Sequence, residues 1–162
     1  MELYLIRHAE AISLGEQNIH VDADRPLTDK GGEQAKMVGA GLQRKGVTLQ
    51  AILTSPLMRA RQTAEGILKA WSGSAPEVQV IDQLTPGTRP RKLARVLKDL
   101  QKEQVALIGH EPDLSAWASW VIGSKKAQLA LAKAGVAHIR CDGNPGKACG
   151  TLIELVTPEW LS

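Results

Sequence analysis

The sequence predicts an α/β fold of three layers, with a mostly parallel central sheet covered by helices on both faces and an antiparallel hairpin at the C-terminal end. Two observations carry this expectation. Short apolar runs of strand length alternate with longer segments whose apolar residues recur every three or four positions. The connections between them are short, as in parallel strands joined by crossover helices. Near the C-terminus the pattern changes to two strand-like runs flanking the turn-rich stretch Asp142-Gly143-Asn144-Pro145-Gly146-Lys147, which predicts a hairpin.

Taken in order, residues 3–6 read as a buried strand. Thr28 opens a helix running to about residue 45, with Gly31, Ala35, Val38 and Leu42 on one face and Gly46 as its stop. Residues 51–53 form a second apolar strand. Ser55 and Pro56 then suit the N-cap and first position of a helix whose inner face is Ala60, Ala64, Ile67, Leu68 and Trp71. A third strand over 78–81 leads through a Thr/Pro/Gly loop to Pro90 and an amphipathic helix over about 91–102. A fourth strand, 105–108, precedes a helix started near Pro112, with Leu114, Trp117, Ala118, Val121 and Ile122 facing inward before Gly123. Residues 136–141 and 151–156 pair as the closing hairpin.

A chain of 162 residues with 43% apolar and 23% charged residues is expected to form one domain over 1–162, its core built without any Phe. The formal charge of +3 is a small excess spread along the chain, so no nucleic-acid partner is expected. The densest basic cluster is Arg89, Arg91, Lys92, Arg95 and Lys98, with Leu93, Val96, Leu97 and Leu100 between them. That spacing reads as the solvated face of a helix, a docking surface for an acidic protein being the alternative. Cys141 and Cys149 match no zinc spacing and are expected as reduced thiols. Met1 leads straight into the first strand, and no apolar run approaches membrane-spanning length. A cytoplasmic protein without a membrane partner is therefore expected.

The residues that carry chemistry sit where strands end. Leu5-Ile6-Arg7-His8-Ala9-Glu10 closes the first strand and Gly109-His110-Glu111-Pro112 closes the fourth. An apolar strand has no need of a histidine at its exit. A phosphoryl-transfer site needs an imidazole as nucleophile and a guanidinium to hold phosphate oxygens. Ligands of open parallel sheets bind at the carboxyl ends of strands, so these two segments and the one from Ser55 to Arg59 are expected to converge on one edge.

Four segments in this order resemble the histidine phosphatase superfamily, also called phosphoglycerate mutase-like. They are Arg7-His8-Ala9, Pro26-Leu27-Thr28-Asp29-Lys30-Gly31 with Gln34-Ala35, Ser55-Pro56-Leu57-Met58-Arg59-Ala60-Arg61-Gln62-Thr63, and Gly109-His110. The resemblance implies a metal-independent phosphatase without a cofactor. In it His8 is the nucleophile that becomes a phosphohistidine, and Arg7, Arg59 and His110 bind the phosphate. Physically, Arg7 and Arg59 would lower the pKa of His8 and leave a ring nitrogen free to attack. Arg59 rather than Arg61 is expected to face the site, because residues two apart on a helix point to nearly opposite sides.

Two departures narrow the substrate. Ala9 stands where the family usually has glycine, a small change if the backbone angle there is negative. More telling, many members that cleave phosphate esters carry a glutamate as general acid after the third strand, where this chain has Asp82-Gln83-Leu84. Phosphohistidine has a better leaving group than an alkoxide and tolerates that loss. Only 27 residues separate Asp82 from His110, too few for a cap. The resemblance is thus to the SixA-type phosphohistidine phosphatases, with a phosphorylated protein as the expected partner. A small-molecule phosphomonoesterase, with Glu10, Glu111 or Asp82 as acid, is the alternative, and a non-catalytic phosphoprotein-binding module a third reading. The long polar segment 11–25 is expected to border the pocket or to be plain surface. His20 reads as exposed, and His138 has no partner the sequence names.

Overall fold

The computed structural model describes residues 1–124 and 126–161. The described residues form strands β1 (Glu2–Arg7), β2 (Ala51–Thr54), β3 (Glu77–Val80), β4 (Gln104–Gly109), β5 (Val136–Cys141) and β6 (Gly150–Val156). The helices are α1 (Asp29–Arg44), α2 (Met58–Lys69), α3 (Pro90–Leu100) and α4 (Asp113–Val121). They build one sheet in the order β3-β2-β4-β1-β5-β6. The first four strands run parallel, while β5 lies antiparallel to both β1 and β6. The expected α/β architecture with its terminal hairpin is the architecture found.

Alternation along the central strands divides the core in two. Leu3 and Leu5 of β1 join Leu93 and Leu97 of α3 and Leu114, Trp117 and Val121 of α4 on one face. Tyr4 and Ile6 join Val38 and Leu42 of α1 and Ala60, Ala64 and Ile67 of α2 on the other. Both faces of β1, β2 and β4 are therefore covered, which is why these strands read as unbroken apolar runs. Strand β3 is an exposed edge, with Val78 and Val80 open to solvent.

The start of α2 corrects the sequence expectation. The helix begins at Met58 with Leu57 as N-cap, not at Pro56 with Ser55 as N-cap. Ser55 instead prolongs the strand, its N–H donating to the Ile108 carbonyl at 3.0 Å. Likewise α3 ends at Leu100, because Gln101 turns into the left-handed region at φ 51°. Thr28 does cap α1, accepting from the Gly31 N–H at 3.0 Å. Gly31 is fixed by close approach: a Cβ there would lie 2.0 Å from the Glu10 carbonyl oxygen, so only glycine lets α1 abut the segment leaving β1.

Cys141 and Cys149 are free thiols with sulfurs 3.9 Å apart; burial, then its neighbour Cys149, pushes the Cys141 thiol up to about 12. His138 stacks on Tyr4 at 4.6 Å and meets Glu2 Oε2 at 2.5 Å. Those partners lie more than a hundred residues away, out of reach of local pattern. No described helix is long and apolar enough to cross a membrane.

Candidate active site

Strands β2, β4 and β1 are neighbours, so their carboxyl ends bring Ser55, His110 and His8 side by side. The His8 N–H donates to the Gly109 carbonyl at 3.0 Å, continuing the β1–β4 ladder into the site. The two imidazoles stand 5.1 Å apart with planes tilted by 51°, and both are buried. Arg7 is carried out on the last residue of β1, and its Nη1 donates to the Leu131 carbonyl at 3.1 Å. Arg59, in the first turn of α2, is only 5% exposed, whereas Arg61 faces solvent. The four residues singled out from the sequence are thus gathered at one edge of the sheet.

His8 has its tautomer set. Nδ1 lies 2.8 Å from the Ala9 carbonyl oxygen, and a carbonyl can only accept, so the proton sits on Nδ1 and the lone pair on Nε2. Burial first, and then the Arg59 and Arg7 guanidinium groups, lower its pKa to about 4, leaving the ring neutral at physiological pH. The arginines were expected to cause this shift; desolvation is the larger cause. His110 is lowered to about 3 by burial, then by Arg59 and His8. Its Nε2 lies 2.9 Å from Ser55 Oγ, so the serine misread as a helix cap orients the second histidine.

Hydrogen bonds from one side fix the segment that leaves β1. Thr63 Oγ1 accepts from the Ala9 N–H at 3.0 Å and donates to the Arg59 carbonyl at 2.7 Å, joining the neighbour of His8 to the arginine's own backbone. Gln34 Oε1 accepts from the Glu10 N–H at 3.0 Å, and Gln62 Oε1 from the Leu27 N–H at 2.7 Å. Ala9 is fully buried and is not among the described residues of positive φ, so its methyl group is accommodated.

Segment 11–25 does border the site. Arg59 Nη1 donates to the Asp22 carbonyl at 2.7 Å and Nη2 to Asp22 Oδ2 at 3.0 Å, while Arg25 holds the same side chain through Oδ1 at 2.9 Å. The hydrogen bond from Arg25 first, and that from Arg59 after it, keep the Asp22 carboxyl below its ordinary value. Both Nη groups of Arg59 are thus engaged by Asp22, one through a backbone carbonyl and one through a carboxylate oxygen. No local pattern in the chain points to this pairing. Arg7 Nε, Arg59 Nε and His110 Nδ1 are buried without a partner among the described residues.

The candidate acids are placed differently. Glu10 accepts from Thr28 Oγ1 at 3.1 Å and pairs with Lys30 at 3.0 Å; the Lys30 hydrogen bond first among the causes lowers its pKa. Glu111 accepts from the Ser115 N–H and hydroxyl at 3.1 and 2.5 Å, so it is engaged in the first turn of α4. Asp82 is exposed at the start of a 3-10 turn. Gln83 lines a cavity of about 70 Å³ together with His110, Thr85, Thr88 and Asp113, which places the amide beside the site. Among the described residues no group of three or more His, Cys, Asp or Glu could hold a metal ion.

The sequence profile of the histidine phosphatase superfamily (branch 1) matches residues 3–85. An uncharacterized protein of Picosynechococcus sp. is 38% identical over 99% of both chains. The structure of the protein histidine phosphatase SixA complexed with tungstate has a similar fold, with a TM-score of 0.84 and 23% identity over the whole of both chains. The alpha-ribazole phosphatase from Shigella flexneri shares the fold at a TM-score of 0.72 and 19% identity, over 98% of this chain and 97% of that one.

Proposed function

The chain belongs to the histidine phosphatase superfamily, and from that premise we propose that it is a metal-independent phosphohistidine protein phosphatase with His8 as nucleophile. One observation carries the reading: a neutral imidazole, its proton fixed on Nδ1 by the Ala9 carbonyl, beside two guanidinium groups. His8 Nε2 attacks phosphorus as the N–P bond of the substrate breaks, and the departing imidazole takes a proton from solvent. Water then attacks the phosphorus on His8 Nε2, loses a proton and releases inorganic phosphate. Arg7, Arg59 and His110 stabilise the charge on the equatorial oxygens in both steps.

The placement of the candidate acids supports this substrate class. Gln83 cannot supply the proton an alkoxide requires, and Glu10 and Glu111 are engaged at the first turns of α1 and α4. Asp113 Oδ2 accepts from the Gly87 N–H at 2.7 Å, and Asp82 lies exposed. A phosphoramidate leaving group needs no strong acid. A similar fold in a protein histidine phosphatase complexed with tungstate, an oxyanion, accords with this. The test is His8→Ala: it should abolish both hydrolysis of a phosphohistidine protein and acid-labile incorporation of labelled phosphate. A mutant with wild-type turnover overturns the assignment.

A second reading has its own observation. The small cavity beside His110 has a mixed lining, in which Gln83, Thr85, Thr88 and Asp113 face Leu84, Leu93, Leu114 and Trp117, and could receive a compact leaving group; the fold is shared with a small-molecule phosphatase. Rapid turnover of alkyl phosphate monoesters with none of phosphohistidine would select it.

A further inference from the structure

The basic residues of α3 are concentrated, not dispersed. Arg89, Arg91, Lys92, Arg95 and Lys98 contribute more positive charge than the chain's net +3, so the remainder is slightly negative. All five are exposed, and none makes an ion pair among the described residues. Leu93, Ala94 and Leu97 bury the opposite face of the helix, so the cations are held outward on a fixed frame.

This face is continuous with the catalytic edge. Arg91, Lys92 and Arg95, with the half-buried Trp120 of α4, line a groove of about 600 Å³. Arg89 and Pro90 line both that groove and the cavity containing His110. The junction is stiffened by Trp117, whose Nε1 donates to the Pro90 carbonyl at 3.1 Å. A ligand lying in the groove would therefore arrive at the phosphate site from the side of Gln83.

We infer that the α3 groove docks an acidic face of the phosphorylated protein whose phosphohistidine enters the His8 site. This rests on the phosphohistidine reading above and adds the surface that selects the partner. Clustered cations without internal partners are complementary to a row of carboxylates, and such complementarity acts mainly on encounter rate and partner choice. Trp120 supplies an amphipathic anchor of the kind protein interfaces favour. A single tryptophan without interleaved aromatics is not the stacking platform that single-stranded nucleic acid uses.

The experiment compares wild type with Arg91→Glu/Lys92→Glu/Arg95→Glu, and with Arg95→Glu alone, on an acidic phosphohistidine protein and on free phosphoramidate. At about 25 mM salt, where screening is weak, the triple reversal should raise KM for the protein by about tenfold and leave phosphoramidate turnover unchanged. Arg95→Glu should give a smaller change in the same direction. Added salt should bring wild type towards the triple variant. Equal loss on both substrates, or no loss on the protein, overturns the docking surface. So does a reversal that abolishes binding of a single-stranded oligonucleotide while protein turnover stays unchanged. A wild type that cleaves phosphoramidate and alkyl phosphates but no phosphohistidine protein overturns the phosphohistidine reading itself, a distinguishable result that removes the docking surface with it.

Discussion

The two sides of the phosphate pocket are built differently. On the side of α1 and α2, backbone groups are bound to side chains: Ala9 to buried Thr63, Glu10 to buried Gln34, and Leu27 to half-buried Gln62. On the side of α3 and α4 the pocket opens into a small cavity of mixed lining and then a charged groove. A nucleophile must be held to within a fraction of an ångström, and buried hydrogen bonds do that. A surface that chooses among partners needs accessible charge instead. If the α3 groove docks the partner, chemistry and selection occupy opposite walls of one site.

The largest effect comes from the tethered wall. Arg59→Ala removes a charge-stabilising donor and the anchor of Asp22, and should lower kcat/KM by roughly a hundredfold, about 3 kcal/mol of transition-state stabilisation. Arg59→Lys should recover only part of this, because an ammonium cannot present the planar fork to two oxygens. Steady-state kinetics on phosphoramidate checks both. A loss confined to the phosphorylated protein would place Arg59 on the selecting wall and break the comparison.

The same burial that keeps the histidines neutral should show in stability. Relative to the ordinary 6.5, folding lowers His8 to about 4 and His110 to about 3. The unfolded chain therefore binds more protons as pH falls below 6.5, and stability present in full above that value is lost on the way down. Taken over the whole range, these shifts correspond to upper bounds of about 3 kcal/mol for His8 and about 5 kcal/mol for His110. Thermal melts between about pH 6.5 and 5, above the range in which carboxylates titrate, should show a falling Tm in wild type and a shallower fall in His110→Gln. Equal slopes would mean that the rings are solvated and the wall is not closed.

How far the site could be read from the chain depends on distance. Arg7, His8 and His110 are legible beside strand ends that apolar runs locate, whereas Arg59 and the roles of all four are implied only by the resemblance of the motif segments to the superfamily. Ser55 was seen but misread, since a serine before a proline satisfies the local rule for a helix start. Only the neighbouring strand shows that its backbone continues the sheet and that its hydroxyl faces His110. Asp22 was not legible as a partner of Arg59, because their contact depends on the path of a loop with little regular structure of its own. The pKa of His8 had the right direction and an incomplete cause, as the depth of burial is a property of the packed layers. The basic spacing of α3 was plain, but its continuity with the site appears only when Arg89 and Pro90 are seen to line both hollows.

The smallest predicted effect tests the boundary between the walls. Gln83 shares a cavity with His110, and a glutamate there would differ by one group, a carboxyl in place of an amide. Among the described residues Gln83 makes no side-chain hydrogen bond that the change would break, so Gln83→Glu should fold as wild type. If the cavity receives the leaving group, the new carboxyl can protonate an alkoxide, and hydrolysis of alkyl phosphate monoesters should rise by about tenfold, a modest share of what a tuned general acid supplies. Phosphoramidate turnover should change little, since its leaving group needs no such help. The rate rise should require the protonated carboxyl and fade as pH climbs through its titration, a profile that an altered pocket shape alone would not produce. A variant with unchanged ester turnover at every pH would show that the leaving group departs elsewhere, and that His110 marks the end of the chemical wall instead of its meeting point with the selecting one.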